Sequence, residues 1–199
     1  DNETGDLELH ELTARTDRRL TTNKQAFEAF AVGSVFDPGS MQVAYTWFHS
    51  TGRVELRTIG LNGNGASNPR ILYQNDDIGM IAPHHWSPDG KWIAVSIARK
   101  DHTAQIGLVS TADGSFRLLK SVDWRGPVSV FFSPDGRQVA FDLVTTGSEQ
   151  RDVFVLAIDG SREIPAVVHG AQDVVVGWTP DATNLLFISD RTGAFSLWA

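Results

Sequence analysis

The chain contains no cysteine among its 199 residues. This excludes disulfide bonds and thiolate metal ligands. Long hydrophobic runs are missing as well: no run of about eighteen apolar residues occurs, so no membrane-spanning helix is predicted. Basic residues are outnumbered by acidic ones, 17 to 24, and the formal net charge of −7 disfavours a broad nucleic-acid-binding surface.

The N-terminus lacks the features of a secretory signal. Its first residues, DNETGDLELH, are acidic and have neither a basic start nor an apolar stretch, so no signal peptide is expected there. The hydrophobic content of 41% is ordinary for a globular protein. A buried core is therefore expected, in one large or two small domains.

A short motif recurs four times along the chain. It reads FDPGS, WSPDG, FSPDG and WTPDA, and its aromatic residues are Phe36, Trp86, Phe132 and Trp178, separated by 50, 46 and 46 residues. An alternating segment follows each turn: MQVAYTW, KWIAVSI, RQVAFDL and TNLLFIS. Alternation of this kind predicts half-buried strands.

Two further strand-like segments belong to each repeat. One reads TGDLELHEL, TGRVELRTI, AQIGLVS, RDVFVLAI and TGAFSLWA; the other is basic and apolar and reads TDRRLT, NPRILY, SFRLLK and SREIPAVV. Four short strands per repeat predict an all-β chain, a β-propeller of four-stranded antiparallel blades. We expect a single domain, 1–199, with units of approximately 1–50, 51–98, 99–145 and 146–199. A single helical turn is expected only in NKQAFEAFA, residues 23–31.

The recurring turn has a physical reason. In Ser-Pro-Asp-Gly the proline presets φ, the serine and aspartate bond to the backbone, and the glycine permits the left-handed conformation that closes the hairpin. Gly39 and Ser40 in the first turn and Ala182 in the last depart from this pattern, so looser turns or turns of another type are expected there. The aromatic residue before each turn is expected to fill the wedge between neighbouring blades.

These motifs, together with FISDRTGAFSLW at 187–198, resemble the WD-like repeat of the TolB-type β-propeller family over essentially the whole chain. The resemblance implies a non-catalytic scaffold without cofactors, which binds a protein or peptide through its loops and central channel. It also implies a bacterial source and a periplasmic or other extracytoplasmic location. Such propellers usually have six or more blades, so this segment of about four blades is expected to be part of a larger one.

The ends of the chain favour the same interpretation. Residues 1–12 match 190–199, and both are expected to be third strands, so one of them would have no place in a closed ring of four blades.

The same resemblance implies a second class of function. Related propellers gate substrate access in prolyl-oligopeptidase-like and tricorn-like peptidases, or serve as sensors in bacterial kinases and regulators. Neither a Gly-x-Ser-x-Gly motif nor another catalytic set occurs, so the chain itself is not expected to be an enzyme, although its parent protein could be one. The expected partner is a protein, a peptide or another domain of the same chain.

Three short patterns are weak candidates for chemistry. HELTA at 10–14 lacks the second histidine of a zinc helix, and GNGASN at 63–68 lacks the third glycine of a dinucleotide-binding loop. His84 and His85 are adjacent in a predicted strand and therefore point to opposite faces, so they are not expected to bind one ion together. No metal site is predicted.

The predicted loops hold the candidate binding residues. Connections from second to third strands and from one blade to the next share one end of a propeller, and aromatic residues beside arginine are typical of recognition surfaces. Trp124 is the first candidate because it lies outside the repeat pattern, so the blade fold does not require it. The full set is Trp47, His49, Arg99, Lys100, His102, Asp123, Trp124, Arg125 and Arg151.

Overall fold

The computed structural model describes residues 4–23, 28–61, 68–145 and 147–199. Every regular element in these ranges is a β-strand, which confirms the all-β prediction. No helix able to cross a membrane is found among them. The strands are β1 Glu8–Glu11, β2 Thr16–Arg19, β3 Ala29–Phe36, β4 Gln42–His49, β5 Val54–Gly60, β6 Arg70–Gln74, β7 Ile78–Trp86, β8 Trp92–Arg99, β9 Ala104–Ser110, β10 Phe116–Val122, β11 Val130–Phe132, β12 Gln138–Val144, β13 Arg151–Ala157, β14 Glu163–Val167, β15 Asp173–Trp178, β16 Leu185–Ser189 and β17 Ser196–Trp198.

Two local predictions are affected by this assignment. The helical turn expected at 23–31 is wrong for its last three residues, which open strand β3, and residues 24–27 lie outside the described ranges. The first five residues of GNGASN, 63–67, also lie outside them. The HELTA segment ends β1 and enters a turn.

The strands form antiparallel meanders in chain order. β3 to β6, β7 to β10 and β11 to β14 make three four-stranded sheets; β15 to β17 make a three-stranded sheet, and β1 and β2 a hairpin. The predicted repeat units contain β1–β4, β5–β8, β9–β12 and β13–β17. The second and third units thus each hold the two outer strands of one sheet followed by the two inner strands of the next.

The sheets are arranged radially, as blades of a β-propeller. Their first strands contact one another in succession, β3 with β7, β7 with β11 and β11 with β15, so these strands lie innermost. Apolar clusters fill the spaces between neighbouring sheets, and both faces of a strand such as β4 are consequently buried. Leu20 of the segment after β2 packs with Tyr45 and Trp47 of the first sheet in a further cluster.

The four recurring hairpin turns share one geometry. In the second turn the Ser87 carbonyl accepts from the Gly90 N–H at 2.8 Å, and Asp89 accepts from the Ser87 hydroxyl at 2.6 Å. Ser40 and Ala182 make the same backbone bond and have φ of 54° and 59°, beside 71° for Gly90. The expectation of looser or different first and last turns is therefore wrong, because these residues accept the left-handed conformation that glycine adopts more easily.

Aromatic residues before the turns link neighbouring sheets. The indole N–H of Trp86 donates to the Val35 carbonyl at 3.1 Å, and that of Trp178 donates to the Phe131 carbonyl at 3.3 Å. Trp86 is 4% exposed, as expected of a residue wedged between blades. Phe36 is 52% exposed, so the wedge prediction is wrong for the first repeat.

Arginines in the outermost strands form a second set of links. In three successive sheets or hairpins the guanidinium donates to a carbonyl in the turn after the third strand of the next sheet: Arg18 to Leu61, Arg70 to Thr111 and Ala112, and Arg117 to Ile158. This repeated contact explains why the fourth predicted strand is basic in the first three repeats. A planar guanidinium with several N–H donors suits a bond to a turn carbonyl.

Antiparallel strands place the connections at two ends of the propeller. We call one end the loop face; it holds residues 50–53, 100–103, 145, 147–150 and 190–195, and the links between sheets at 75–77, 123–129 and 168–172. The other end, the turn face, holds the recurring hairpin turns at 37–41, 87–91, 133–137 and 179–184.

Candidate recognition site on the loop face

Trp124 lies in the link between the second and third four-stranded sheets and is 72% exposed. The Arg125 guanidinium carbon lies 5.5 Å from the centre of the Trp124 ring. Arg125 is itself held on both sides, by Asp123 at 3.1 Å and by the Ser148 carbonyl at 3.1 Å. Hydrogen bonds from Arg125 hold the pKa of the exposed Asp123 carboxyl below its usual value. The structure therefore brings three predicted residues together around one exposed indole.

A buried carboxylate anchors the rest of this link. Asp142 of β12 accepts from the backbone N–H groups of Val128 and Ser129, each at 3.0 Å, and from the Arg151 guanidinium at 2.7 Å. Arg151 also donates to the Gly126 carbonyl at 3.3 Å. Burial raises the pKa of Asp142, although these donors lower it in part. Arg151 thus holds the backbone of the Trp124 link through Gly126 and connects it to Asp142.

Asp142 is a residue that the sequence-based reasoning missed. A signal was present, since its carboxyl group interrupts the apolar run of QVAFDLV in a predicted strand. A fully buried carboxylate in such a place requires partners, and here they are two backbone donors of the neighbouring link and the guanidinium of Arg151, the first residue of β13.

A second group of predicted residues lies at the end of β8, where Arg99 is the last residue of the strand, and in the loop that follows. Lys100 and His102 are exposed, and His102 has a positive φ of 68°. Arg99 is partly buried and pairs with Asp77 at 3.6 Å and Asp101 at 3.4 Å. Lys100 and His102 thus remain on the surface, whereas Arg99 fastens the loop to the link before β7.

Trp47 and His49 lie elsewhere than predicted. Trp47 is in strand β4, 5% exposed, with the Arg57 guanidinium 4.9 Å from its ring, so its expected place on a surface loop is wrong. His49 is the last residue of β4, and its Nε2 lies 3.4 Å from the buried carboxylate of Glu55. The hydrogen bonds to that carboxylate come from Arg53 and Arg57. Burial raises the pKa of Glu55, but its two arginine partners outweigh burial and the net shift is downward.

The paired histidines have separate environments. His84 Nε2 lies 2.8 Å from the Ser96 hydroxyl of the neighbouring strand. His85 Nδ1 accepts from the Phe132 N–H of the next sheet at 3.1 Å. Within the described ranges, no three His, Asp or Glu side chains are grouped so that they could hold a metal ion.

Comparison with protein-family models and with curated proteins found no match. Solved structures do match. A protein described as a TolB from Agrobacterium tumefaciens superposes with a TM-score of 0.70 at 20% identity, over 92% of this chain and 61% of that one. The chain shares the TolB fold. TolB from Acinetobacter baumannii gives a TM-score of 0.58 at 17% identity, over 98% of this chain and 52% of that one.

The TolB fold is not confined to TolB proteins. A prolyl endopeptidase structure gives a TM-score of 0.70 at 13% identity, over 98% of this chain and 30% of that one. The chain spans less than two thirds of both TolB structures as well. At these identities the likeness shows the fold and carries no activity with it.

Proposed function

We propose that this chain is a non-catalytic scaffold that binds a protein or peptide through its loop face, with Trp124 at the centre of the contact. The exposed indole held by Arg125 is the observation that carries the proposal. Tryptophan and arginine are enriched among the residues that dominate binding energy at protein interfaces. The blade fold makes no use of the Trp124 side chain, which projects from a link between sheets.

The link is ordered before a partner arrives. Asp142 and Arg151 fix its backbone, and Ser148 and Asp123 fix the arginine under the indole. A rigid loop loses less conformational entropy on binding than a mobile one, so more of the contact energy is retained. This supports recognition by a preformed surface.

The charged side chains of Arg125 and Arg151 near Trp124 are already paired within the chain. Arg125 pairs with Asp123, and Arg151 pairs with Asp142. The exposed apolar area nearby includes Val128 in the same link. We therefore expect the partner to contribute mainly apolar or aromatic side chains here.

A displayed library of random heptapeptides, selected on the immobilised chain, tests this proposal. Selected peptides are expected to bind the unaltered chain and to lose at least tenfold in affinity with Trp124→Ala, measured by fluorescence polarisation. Met41→Ala is the matched control, because Met41 is 49% exposed on the turn face. Equal affinity of the selected peptides for all three proteins would overturn the proposal.

A second candidate is an accessory propeller that gates a peptidase. It is favoured by the prolyl endopeptidase structure, of which this chain spans only 30%. In both candidates the chain itself hydrolyses nothing. Purified chain incubated with fluorogenic peptides and p-nitrophenyl esters is expected to show no turnover, and activity that a point substitution in the chain removes would contradict this.

The gene surrounding this segment separates the two candidates. Serine-hydrolase motifs encoded downstream would favour the gate. A secretory signal upstream, in a gene without an enzyme domain, would favour the extracytoplasmic scaffold.

A further inference from the structure

A groove of about 330 Å³ lies between the second and third four-stranded sheets, next to the Trp124 link. Val122, Leu143 and Phe154 provide its apolar surface. Asp123 lines its loop-face end, and Lys120 and Glu163 line it toward the turn face. The groove therefore runs along β10 and ends at Asp123, the residue before Trp124.

We call the space between two neighbouring sheets a seam. The seam between the first and second four-stranded sheets shows why the seam that holds the groove is open. Tyr73 and Lys120 each lie three residues after an arginine that links to the next sheet, so they are equivalent positions. The Tyr73 ring packs against Phe116 of the next sheet with centroids 5.5 Å apart. Lys120 cannot pack in this way and pairs instead with Glu163, at 2.9 and 2.8 Å from its two carboxylate oxygens. The aromatic filling of one seam is thus replaced by an ion pair in the other.

The groove borders the free edge of a sheet. β10 is the outermost strand of its sheet, and among the described strands it pairs with β9 alone. Residues 120–123 line the groove in succession. An outer strand presents backbone donors and acceptors to an incoming extended segment. The volume lies at the low end of the roughly 300–1,000 Å³ typical of ligand sites and suits one large side chain with its flanking backbone.

From these observations we infer that the groove receives an aromatic or large aliphatic side chain of an extended peptide segment, whose backbone runs along β10 toward Trp124. The inference rests on the proposed function and names the partner's chemistry. The apolar surface selects the inserted side chain, and the Lys120–Glu163 pair closes the end toward the turn face.

Capped heptapeptides of serine and threonine with a single central Phe, Leu or Glu test this directly. The Phe and Leu peptides are expected to bind at least tenfold more tightly than the Glu peptide. Lys120→Tyr restores the aromatic residue of the equivalent seam and should lower the affinity of the Phe peptide at least tenfold. Lys91→Tyr, the same substitution on the turn face, should leave it unchanged. Equal binding of the three peptides, or no effect of Lys120→Tyr, would overturn the inference.

A measurement on the unaltered chain removes any dependence on how the variants fold. The methyl NMR signals of Val122 and Leu143 are expected to shift on titration with the Phe peptide, and unshifted signals would contradict the inference. Library-selected peptides whose affinity falls with Trp124→Ala but not with Lys120→Tyr would contradict binding in the groove and would still support binding by the loop face. Peptides whose affinity falls with Lys120→Tyr alone would support binding in the groove and would contradict the role of Trp124.

Discussion

His85 Nδ1 accepts a hydrogen bond from the backbone N–H of Phe132 at 3.1 Å, across the seam between the second and third four-stranded sheets. The seams on either side use an indole donor, from Trp86 in one and Trp178 in the other. Phe132 occupies the equivalent position and has no side-chain donor. In this seam the hydrogen bond to His85 therefore takes the place of the indole hydrogen bond found in the other two.

The first prediction concerns this contact. His85→Ala leaves the Phe132 N–H without its acceptor and should lower the free energy of unfolding by about 1–3 kcal/mol. His85→Asn keeps an acceptor oxygen close to the place of Nδ1 and should lose clearly less. Urea denaturation of both variants measures the difference, and an equal loss would show that ring packing on Phe131 and Phe132 matters instead.

The second prediction is a loss of stability in mild acid. Burial lowers the pKa of His84 to about 4 and lowers that of His85 as well. Between about pH 6.5, the unfolded value, and pH 4 the unfolded chain binds protons that the folded chain excludes. Stability should therefore be full above pH 6.5 and fall below it, by up to about 1.4 kcal/mol per pH unit for each histidine.

The variant His84→Gln/His85→Asn provides the control for this pH dependence. Burial raises the pKa of Asp142, which acts in the opposite direction as the pH falls. Glu55, whose pKa is lowered, adds a loss of stability only as the pH approaches 4. Removing both histidines should therefore flatten the dependence of the melting temperature on pH between about pH 6.5 and pH 5. A curve as steep as that of the unaltered chain would assign the acid sensitivity to other groups.

The third prediction compares two aromatic residues from the same repeat position. Trp86→Ala removes a buried wedge and an interblade hydrogen bond, and should cost about 3–5 kcal/mol. Phe36→Ala removes a side chain that is half exposed and should cost much less. Thermal unfolding of the two variants tests this, and similar losses would contradict the wedge assignment.

The fourth prediction concerns the anchor of the Trp124 link. Asp142→Ala leaves the Val128 and Ser129 N–H groups without their acceptor, and should cost at least about 1–3 kcal/mol. It should also lower the affinity of the chain for library-selected peptides, because the link is no longer held in place. Asp159→Ala, on an exposed turn, is the control. Unchanged affinity with Asp142→Ala would show that the link needs no anchor.

The sequence predicts the blades well because their signals are local. Turns built on proline and glycine, and alternation in segments such as KWIAVSI, depend on neighbours within a few residues. Trp47 shows the limit: an aromatic residue near the end of a strand looks the same whether it faces solvent or another sheet. Its burial depends on the cluster that it forms with Leu20 of the segment after β2, a contact distant in sequence.

In the candidate site, too, the features set by local sequence could be predicted and those set by distant contacts could not. Trp124 could be selected because it falls outside the repeat. The roles of Arg151 and Asp142 could not, since they depend on which loops meet in space. The groove could not be predicted either. Lys120 and Tyr73 are recognised as equivalent only from the contacts that each outermost strand makes with the next sheet.

Hydrogen–deuterium exchange of the chain, with and without a library-selected peptide, tests the proposed loop-face site most directly. Slower exchange is expected in 120–125 and 147–154, with no change in the turn-face hairpins at 37–41 and 87–91. Protection confined to the turn face, with 120–125 unchanged, would contradict the proposed site.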